Sequence, residues 1–265
     1  MNLLNTLILA VVQGLTEYLP ISSTAHLLVA QKLLNIQPNV LFTVVLQFGT
    51  ILASIFYFRK KLLTIAKESI KNVQQGNLKK DFGVWILVGI IPVLAIGYLA
   101  NDYLDALYSQ PIVIAFTTIF FGILFYYIEI LYKNSKNKKN LEQLTVKNIV
   151  YIGFAQVLSI IPGVSRSGST ISGGLAQKIN FKDSIEISFL MSIPVMLAAT
   201  GYELLKNINL FTTELAINLS IGIIVAFIAG LVSIKITLGF LLKKGFLPFL
   251  VYRILFGLLI LVFLM

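Results

Sequence analysis

The sequence is interrupted twice by polar, helix-breaking stretches: Gln13-Gly-Leu-Thr-Glu17-Tyr-Leu-Pro20-Ile-Ser22-Ser23-Thr24-Ala-His26, and Gln156-Val-Leu-Ser-Ile-Ile-Pro162-Gly163-Val-Ser165-Arg166-Ser167-Gly-Ser-Thr170. Each contains a proline, which ends the helix before it because it lacks an N–H and clashes with the preceding turn. The single histidine of the chain lies in the first stretch, and one of its three arginines lies in the second. Apolar sequence surrounds both, and ionisable groups at membrane depth are costly, so the two stretches are predicted to form a functional site.

The composition is that of a polytopic membrane protein. The 265 residues are 57% hydrophobic and only 12% charged, with a mean hydropathy of +0.90, whereas a soluble domain is nearer about half apolar and a quarter charged. The net charge of +10 does not indicate nucleic acid, because the basic residues stand in short runs between apolar spans, as in loops that face anionic lipid. The absence of cysteine excludes disulfides and thiolate metal sites.

Six apolar stretches are long enough to cross a bilayer, which takes about 20 residues. They are residues 40–58, 82–100, 112–132, 185–205, 213–240 and 246–265. The shorter apolar stretches before Pro20 and Pro162 are predicted to be re-entrant helical hairpins, since non-helical backbone at membrane depth is tolerated only where it is buried in protein or lines a wet cavity. The predicted fold is all-α, with six transmembrane helices and two such hairpins.

The basic residues set the predicted orientation. Connections 59–80 and 133–147 hold seven and five of them, and four more stand at Lys178, Lys182, Lys243 and Lys244. The connections on the other side, 101–111 and 206–212, hold one, Lys206. The positive-inside rule places the basic side in the cytoplasm, so the first hairpin enters from outside and the second from the cytoplasm.

Each half of the chain consists of one hairpin and three spans, and three is odd, so the halves have opposite orientations. We therefore predict a single membrane domain, residues 1–265, with inverted repeats at approximately 1–132 and 147–265. In both halves a glutamine and a proline precede a hydroxyl-rich run. Inverted repeats with broken helices place a site near the midplane, where the two polar stretches would meet.

The second stretch has the composition of a phosphate cradle. A helix that restarts after Pro162 offers free N–H groups to an anion, and the Arg166 guanidinium is a planar fork suited to phosphate oxygens. A carboxylate could use the same groups, and the alternative is that the hydroxyls only cap helices. The predicted phosphate-binding residues are Thr24, Ser165, Arg166, Ser167 and Thr170.

Gln13 and Glu17 are four residues apart and share a helix face. Their oxygens are predicted to bind Mg²⁺ or Ca²⁺, with the remaining ligands supplied by substrate phosphates and water, or Glu17 carries a proton. The alternatives are a neutral Glu17 or an ion pair with Arg166.

His26 follows Ser22 and Ser23 by about one helical turn. A serine beside a base is the minimal activated nucleophile, and an imidazole can also attack phosphorus itself or act as an acid. The residues do not choose between serine and histidine as the nucleophile. A hydrogen-bonded structural histidine is the alternative.

These residues resemble the undecaprenyl-diphosphate phosphatase family, the bacitracin-resistance proteins of bacterial membranes. The family motif Glu/Gln-x-x-x-Glu followed by Pro-x-Ser-Ser-Thr-x-His stands here from Gln13 to His26, and Pro-Gly-x-Ser-Arg-Ser-x-x-Thr stands from Pro162 to Thr170. The likeness covers nearly the whole chain, including the closing Pro248-Phe-Leu-Val-Tyr-Arg253.

The resemblance implies a hydrolase of a phosphoric anhydride, which converts undecaprenyl diphosphate to undecaprenyl phosphate and phosphate. This reaction recycles the lipid carrier of peptidoglycan and cell-wall synthesis, bears on cell shape and confers bacitracin resistance. It also implies a divalent cation, a place in the bacterial plasma membrane and a site that opens to the outer face. Membrane lipids are the other expected partners, nucleic acid is not expected, and a homodimer is compatible with the sequence.

Carried onto this chain, the family pattern gives Glu17, Ser22, Ser23, His26 and Arg166 as catalytic residues. Glu17 and Gln13 would serve the metal, and Ser23 or His26 would act in attack and proton transfer. Arg166 would hold the diphosphate. Some members carry Glu where this chain has Gln13, so a two-carboxylate metal site does not transfer.

The rival hypothesis is a transporter or flippase for an anionic lipid or solute, because inverted repeats with broken helices are common in secondary transporters. Transport needs no nucleophile, and the clustered Ser, His, Glu and Arg favour chemistry. The sequence also allows one protein to do both.

Overall fold

The computed structural model describes residues 2–37, 40–100, 107, 110–206 and 213–263. In these residues the regular structure is helical, apart from one isolated β-bridge between Lys139 and Ile179. The ten α-helices are α1 (Leu3–Thr16), α2 (Ser23–Leu33), α3 (Val40–Gln74), α4 (Phe82–Leu99), α5 (Pro111–Lys133), α6 (Val146–Val157), α7 (Arg166–Ala176), α8 (Phe181–Lys206), α9 (Thr213–Lys244) and α10 (Leu247–Phe263). The prediction of an all-helical chain is confirmed for this part of it.

Five of the described helices, α3, α4, α5, α8 and α9, are long and apolar enough to cross a bilayer. The predicted sixth span corresponds to α10, which has 17 residues and groups by length with α1 and α6. A multi-pass membrane protein follows from these helices, and the count of six spans stays a prediction. Most of connections 101–111 and 206–212, and residues 264–265 of the predicted last span, lie outside the described residues.

Two helices run well past the predicted spans. Helix α3 has 35 residues and continues to Gln74, and α9 has 32 residues and continues to Lys244. The apolar pattern stops earlier, but lysine, leucine and glutamate keep good helix propensity. Helix α9 is followed directly by Gly245, whose φ of 65° is the left-handed conformation that glycine adopts after the end of a helix.

Both polar stretches break a helix, as predicted. Helix α1 ends at Thr16, before Pro20, and α6 ends at Val157 before a single 3₁₀ turn that leads to Pro162. The helix that restarts after Pro162 begins at Arg166. The reason is a cap, since the Ser165 hydroxyl accepts a hydrogen bond from the Gly168 N–H. Arg166 therefore lies in the first turn of a helix and not in the loop before it.

The hairpin helices pack closely against spans of the opposite half. Helix α1 packs on α9, and α6 packs on α4. A Cβ added at Gly14 would collide with Ala229 of α9, and one added at Gly153 would collide with the Gly89 carbonyl of α4. These close approaches fix the depth and rotation of both helices that lead into the polar loops.

Asp81 caps α4 on the basic side of the molecule. Its carboxylate accepts hydrogen bonds from the Val84 N–H at 2.8 Å, the Ser69 hydroxyl at 2.7 Å and the Asn72 amide at 2.9 Å. Burial alone would raise the pKa of Asp81, but these hydrogen bonds outweigh it and hold the pKa below its usual value. The ionised carboxylate thus ties the long end of α3 to the start of α4.

Candidate active site

Ser22 and Ser165 hold the same unusual backbone conformation in the two loops. Their φ, ψ angles are 70°, 98° and 81°, 116°, in a region that residues other than glycine rarely adopt. Each hydroxyl accepts a hydrogen bond from the N–H three residues on, Ala25 at 3.4 Å and Gly168 at 3.3 Å. The caps direct the N-termini of α2 and α7, and the next residues, Ser23 and Arg166, begin those helices.

Glu17 joins the two polar stretches. Its Oε2 accepts hydrogen bonds from Gln13 Nε2 and Ser23 Oγ, both at 2.8 Å. Its Oε1 pairs with Arg166 Nη2 at 3.2 Å, and the side chain of Glu17 is only 5% exposed. The ion pair with Arg166, one of the expected alternatives, is therefore present together with the Gln13–Glu17 pair.

Arg166 keeps binding capacity beyond this ion pair. Its Nη1 donates to the Ser188 carbonyl at 3.3 Å, and its Nε is buried without a partner. Charge-assisted hydrogen bonds are usually nearer about 2.8 Å, so these contacts are long. An anion that entered beside Arg166 could take its free N–H and compete for the others.

Ser167 and Thr170 lie behind the cavity wall and do not line it. The Ser167 hydroxyl donates to the Leu19 carbonyl at 3.1 Å, which ties the second loop to the first. The Thr170 hydroxyl lies 2.6 Å from that of Ser188. The other three predicted phosphate ligands, Thr24, Ser165 and Arg166, do line the cavity.

The two ring nitrogens of His26 contact groups other than the Ser23 hydroxyl. Its Nδ1 lies 2.7 Å from the Ser22 carbonyl, and its Nε2 lies 2.6 Å from the Tyr252 hydroxyl. Because a carbonyl only accepts, Nδ1 carries the proton and Nε2 accepts from Tyr252. The ring also stacks on Phe256 with centroids 4.1 Å apart. The predicted closeness to Ser22 is present, through its backbone and not its hydroxyl, and the hydroxyl partner of Glu17 is Ser23.

Arg253 of α10 is the functional residue that sequence reasoning missed. Its side chain points inward, and the residue is 1% exposed. It donates to five backbone carbonyls: Pro20 at 3.0 Å, Gly163 at 2.9 Å, Val164 at 3.1 Å, Thr117 at 3.4 Å and Thr118 at 2.8 Å. One guanidinium thus clamps both polar loops to α5. The available signal was a lone arginine in an apolar stretch.

A cavity of about 510 Å³ lies over the hydrogen-bonded network of Arg166, Glu17 and Ser23. Glu17, Ser23 and Arg166 form its floor. Its other end reaches residues near the ends of four helices: Gln31 of α2, Thr43 of α3, Tyr98 of α4 and Tyr202 of α8. The polar network is therefore accessible from one side of the molecule, the side of the connections that are poor in basic residues.

The residues present fit a divalent cation that is held mainly by its substrate. The described residues contain no group of three or more His, Cys, Asp or Glu that could hold a metal ion. Glu17 offers its carboxylate at the floor of the cavity, where the amide oxygen of Gln13 is buried without a partner. Two protein oxygens suit an ion such as Mg²⁺, which keeps several waters and binds phosphate oxygens.

The same residues lie in a sequence region shared with known proteins. A model of the family Bacitracin resistance protein BacA matches residues 6–259. The chain belongs to this family. Relatives in the BacA family include the undecaprenyl-diphosphatase of Wolinella succinogenes, which is 38% identical, and that of Sulfurimonas denitrificans, which is 37% identical. These alignments cover 100% and 99% of this chain, and 99% of each relative.

Proposed function

We infer that the protein is an undecaprenyl-diphosphatase, a membrane hydrolase that acts on a diphosphate. It removes the terminal phosphate of undecaprenyl diphosphate and returns the lipid carrier to cell-wall synthesis, in keeping with bacitracin resistance in its family. The observation that carries this conclusion is the buried chain Arg166–Glu17–Ser23 on the floor of the cavity. A guanidinium, a carboxylate and a hydroxyl at one point are the groups that phosphoryl transfer needs.

The diphosphate would bind with its terminal phosphate against Arg166. The Nε of Arg166 has no partner, and the bond from its Nη2 to Glu17 is long. Both features favour bidentate binding of phosphate oxygens by the guanidinium. The N-termini of α2 and α7, with their free N–H groups, stabilise negative charge at the same place. These groups would neutralise the charge that develops in the transition state.

Ser23 would attack the terminal phosphorus, with Glu17 as the base. The Ser23 hydroxyl already donates to Glu17 Oε2 at 2.8 Å, within the range that general-base catalysis requires. Binding of phosphate to Arg166 would weaken its pairing with Glu17 and free the carboxylate to take the proton. Undecaprenyl phosphate then leaves, and water attacking the phosphoserine releases phosphate and restores Ser23.

His26 would act as a positioning residue. Its bonds to the Ser22 carbonyl and the Tyr252 hydroxyl hold the strained turn that presents Ser23. Direct attack by His26 is the less favoured variant, because its Nδ1 and Nε2 both have close partners and its ring stacks on Phe256.

A divalent cation, if bound, would lie at Glu17 and the free amide oxygen of Gln13. It supplies further neutralisation of the phosphate oxygens. Gln13 also orients Glu17 through its Nε2, so the amide would serve the carboxylate with or without the ion.

We propose further that α10 is the sixth span, that α1–α2 and α6–α7 are re-entrant hairpins, and that the halves 1–132 and 147–265 are inverted repeats. The support is reciprocal packing, since the first hairpin helix of each half contacts the second span of the other. The cavity would open to the outer face. Because the chain has no cysteine, single cysteines at Gln110 and Asn137 can be labelled from either side, and labelling of Asn137→Cys from outside would contradict this orientation.

Phosphate release from undecaprenyl diphosphate by purified protein in detergent tests the function. We expect release by the wild type and a loss of at least about a hundredfold in Ser23→Ala and in Arg166→Met, since each removes a transition-state contact. Ser159→Ala is the matched control, because Ser159 also lines the cavity but donates to the Gln156 carbonyl. Absence of release by folded wild type would refute the phosphatase and turn the case to transport assays in liposomes.

A further inference from the structure

The cavity above the phosphate site has two chemically different walls. The wall formed by α2 and α3 is mixed, with the amide and hydroxyl groups of Gln31, Thr43 and Gln47 among the apolar side chains of Leu27, Leu28 and Val44. The wall formed by α4 and α8 is apolar next to the floor, where small or branched side chains line it: Val93, Leu94, Gly97, Val195, Ala198 and Ala199. Its polar residues, Tyr98, Tyr202 and Glu203, come near the ends of the two helices. The two walls meet at the polar floor, so a ligand that binds there faces a choice of surfaces.

The apolar wall starts directly at the phosphate site. Met196 Sδ lies 3.7 Å from Arg166 Nη2, and Val195, Ala198 and Ala199 continue from it along α8. The wall ends at the edge-to-face pair of Tyr98 and Tyr202, whose ring centroids are 6.0 Å apart. Tyrosine is typical of the membrane–water interface, which places the far end of the wall near the membrane surface.

The wall also leaves room for a ligand. A Cβ added at Gly97 would meet only Ile160 Cδ1, at 3.8 Å, and both Ala198 and Ala199 are exposed to the cavity. Larger side chains at these positions would fill the space in front of α4 and α8.

We propose that this wall binds the first isoprene units of the lipid tail, and that Ala198 and Gly97 are specificity-determining residues. This inference rests on the proposed function. A diphosphate bound at Arg166 carries its tail upward from the floor, and an apolar chain gains by contact with apolar side chains. A chain along the mixed wall would instead cover the polar groups of Gln31, Thr43 and Gln47, to which an isoprene unit offers no hydrogen bond.

The experiment measures tail and head binding separately. Ala198→Trp fills the proposed tail site, and Leu197→Trp is the control, because Leu197 is the neighbouring residue, 40% exposed, and does not line the cavity. The KM for undecaprenyl diphosphate reports the tail together with the head. Methyl diphosphate, measured as a competitive inhibitor, carries the same anhydride on one carbon and reports the head alone.

In Ala198→Trp we expect the KM for undecaprenyl diphosphate to rise at least about tenfold, the loss expected when a few apolar carbons lose their contacts. The inhibition constant of methyl diphosphate should change by less than about threefold, and Leu197→Trp should change neither. An unchanged KM in Ala198→Trp overturns the inference, and so does an equal loss of both ligands.

Gly97→Leu provides a second variant on the opposite helix, should Ala198→Trp fail to give a monodisperse protein. It should raise the KM in the same direction, because its side chain enters the same space. The wild-type arm separates the two claims. Release of phosphate by the wild type with no tail effect in either variant refutes only the tail site, whereas no release by the wild type removes the proposed function and this inference together.

Discussion

Replacement of Arg253 should separate the two polar loops. In Arg253→Met the volume of the side chain is largely kept, but five backbone carbonyls lose their donor. Four of those five hydrogen bonds are buried. At about 1 kcal/mol for each buried hydrogen bond lost, the usual net contribution of such a bond, the variant should lose about 4 kcal/mol of stability.

The same change should lower activity more than stability alone explains. The carbonyls of Pro20, Gly163 and Val164 belong to the loops that precede Ser23 and Arg166, and a shift of about 1 Å between catalytic groups can lower the rate about a hundredfold. We therefore expect kcat/KM for phosphate release to fall at least about a hundredfold in Arg253→Met under conditions where the variant is still folded.

The assay combines unfolding in mixed micelles, followed by circular dichroism, with phosphate release at a temperature where both proteins are folded. Lys235→Met is the control for loss of a positive charge, because Lys235 is exposed on α9. Arg253→Lys should be intermediate, since an ammonium has three donors and cannot span the same acceptors. The clamp would be refuted if the free energy of unfolding of Arg253→Met were within about 1 kcal/mol of the wild-type value, the contribution of a single hydrogen bond, and its kcat/KM were unchanged.

Three further predictions concern single groups. Tyr252→Phe should lower kcat/KM about tenfold through loss of one hydrogen bond to His26, and His26→Ala should lower it further; a silent Tyr252→Phe beside an inactive His26→Ala would instead favour His26 as a chemical participant. Asp81→Asn should reduce stability by about 1 kcal/mol at pH 7 through loss of a charged helix cap. The folded pKa of Asp81 is depressed, so this stabilisation is complete above the unfolded pKa of about 4 and disappears as the pH falls through the folded value. The denaturant midpoints of the wild type and Asp81→Asn should therefore differ at pH 7 and converge in acid. Chelation with EDTA should lower phosphate release about a hundredfold, reversibly on addition of Mg²⁺, if the cation neutralises the phosphates; full activity in EDTA would leave that task to Arg166 and the helix N-termini.

The helical breaks were predictable because their cause is local. Pro20 and Pro162 cannot continue a helix, and the serines that follow them can cap the next one, so chemistry within a few residues decides the structure. The same holds for the shared face of Gln13 and Glu17, which four-residue spacing dictates and which their hydrogen bond of 2.8 Å bears out.

The contacts across the site were not fixed in this way, and the Glu17–Arg166 pair could be offered only as one alternative. Glu17 and Arg166 contact each other but are 149 residues apart in the sequence. His26 and Tyr252 are 226 residues apart. Helical periodicity carries no information about such distances, which depend on how the two halves pack. For this reason His26 was assigned to Ser22 or Ser23 by proximity along the chain, and Arg253 was judged only by its surroundings.

The lengths of α3 and α9 show a second limit. The end of an apolar run marks where the bilayer ends, and a helix ends only where the backbone is stopped. Lys60, Lys67 and Lys71 make the end of α3 polar but do not break the helix, which continues to Gln74. The predicted span was set by hydropathy and therefore ends at residue 58, well before Gly76.

The Arg253 clamp has a consequence for biosynthesis. Both polar loops leave the ribosome well before α10, the helix that carries the guanidinium. Until that helix has entered the bilayer, five carbonyls of the half-made protein lack the Arg253 guanidinium, and the two loops keep the hydrogen bond of Ser167 to Leu19 and the Glu17–Arg166 pair. The enzyme is therefore expected to become active late, on insertion of α10, so that nascent chains would not act on lipid before their synthesis nears its end.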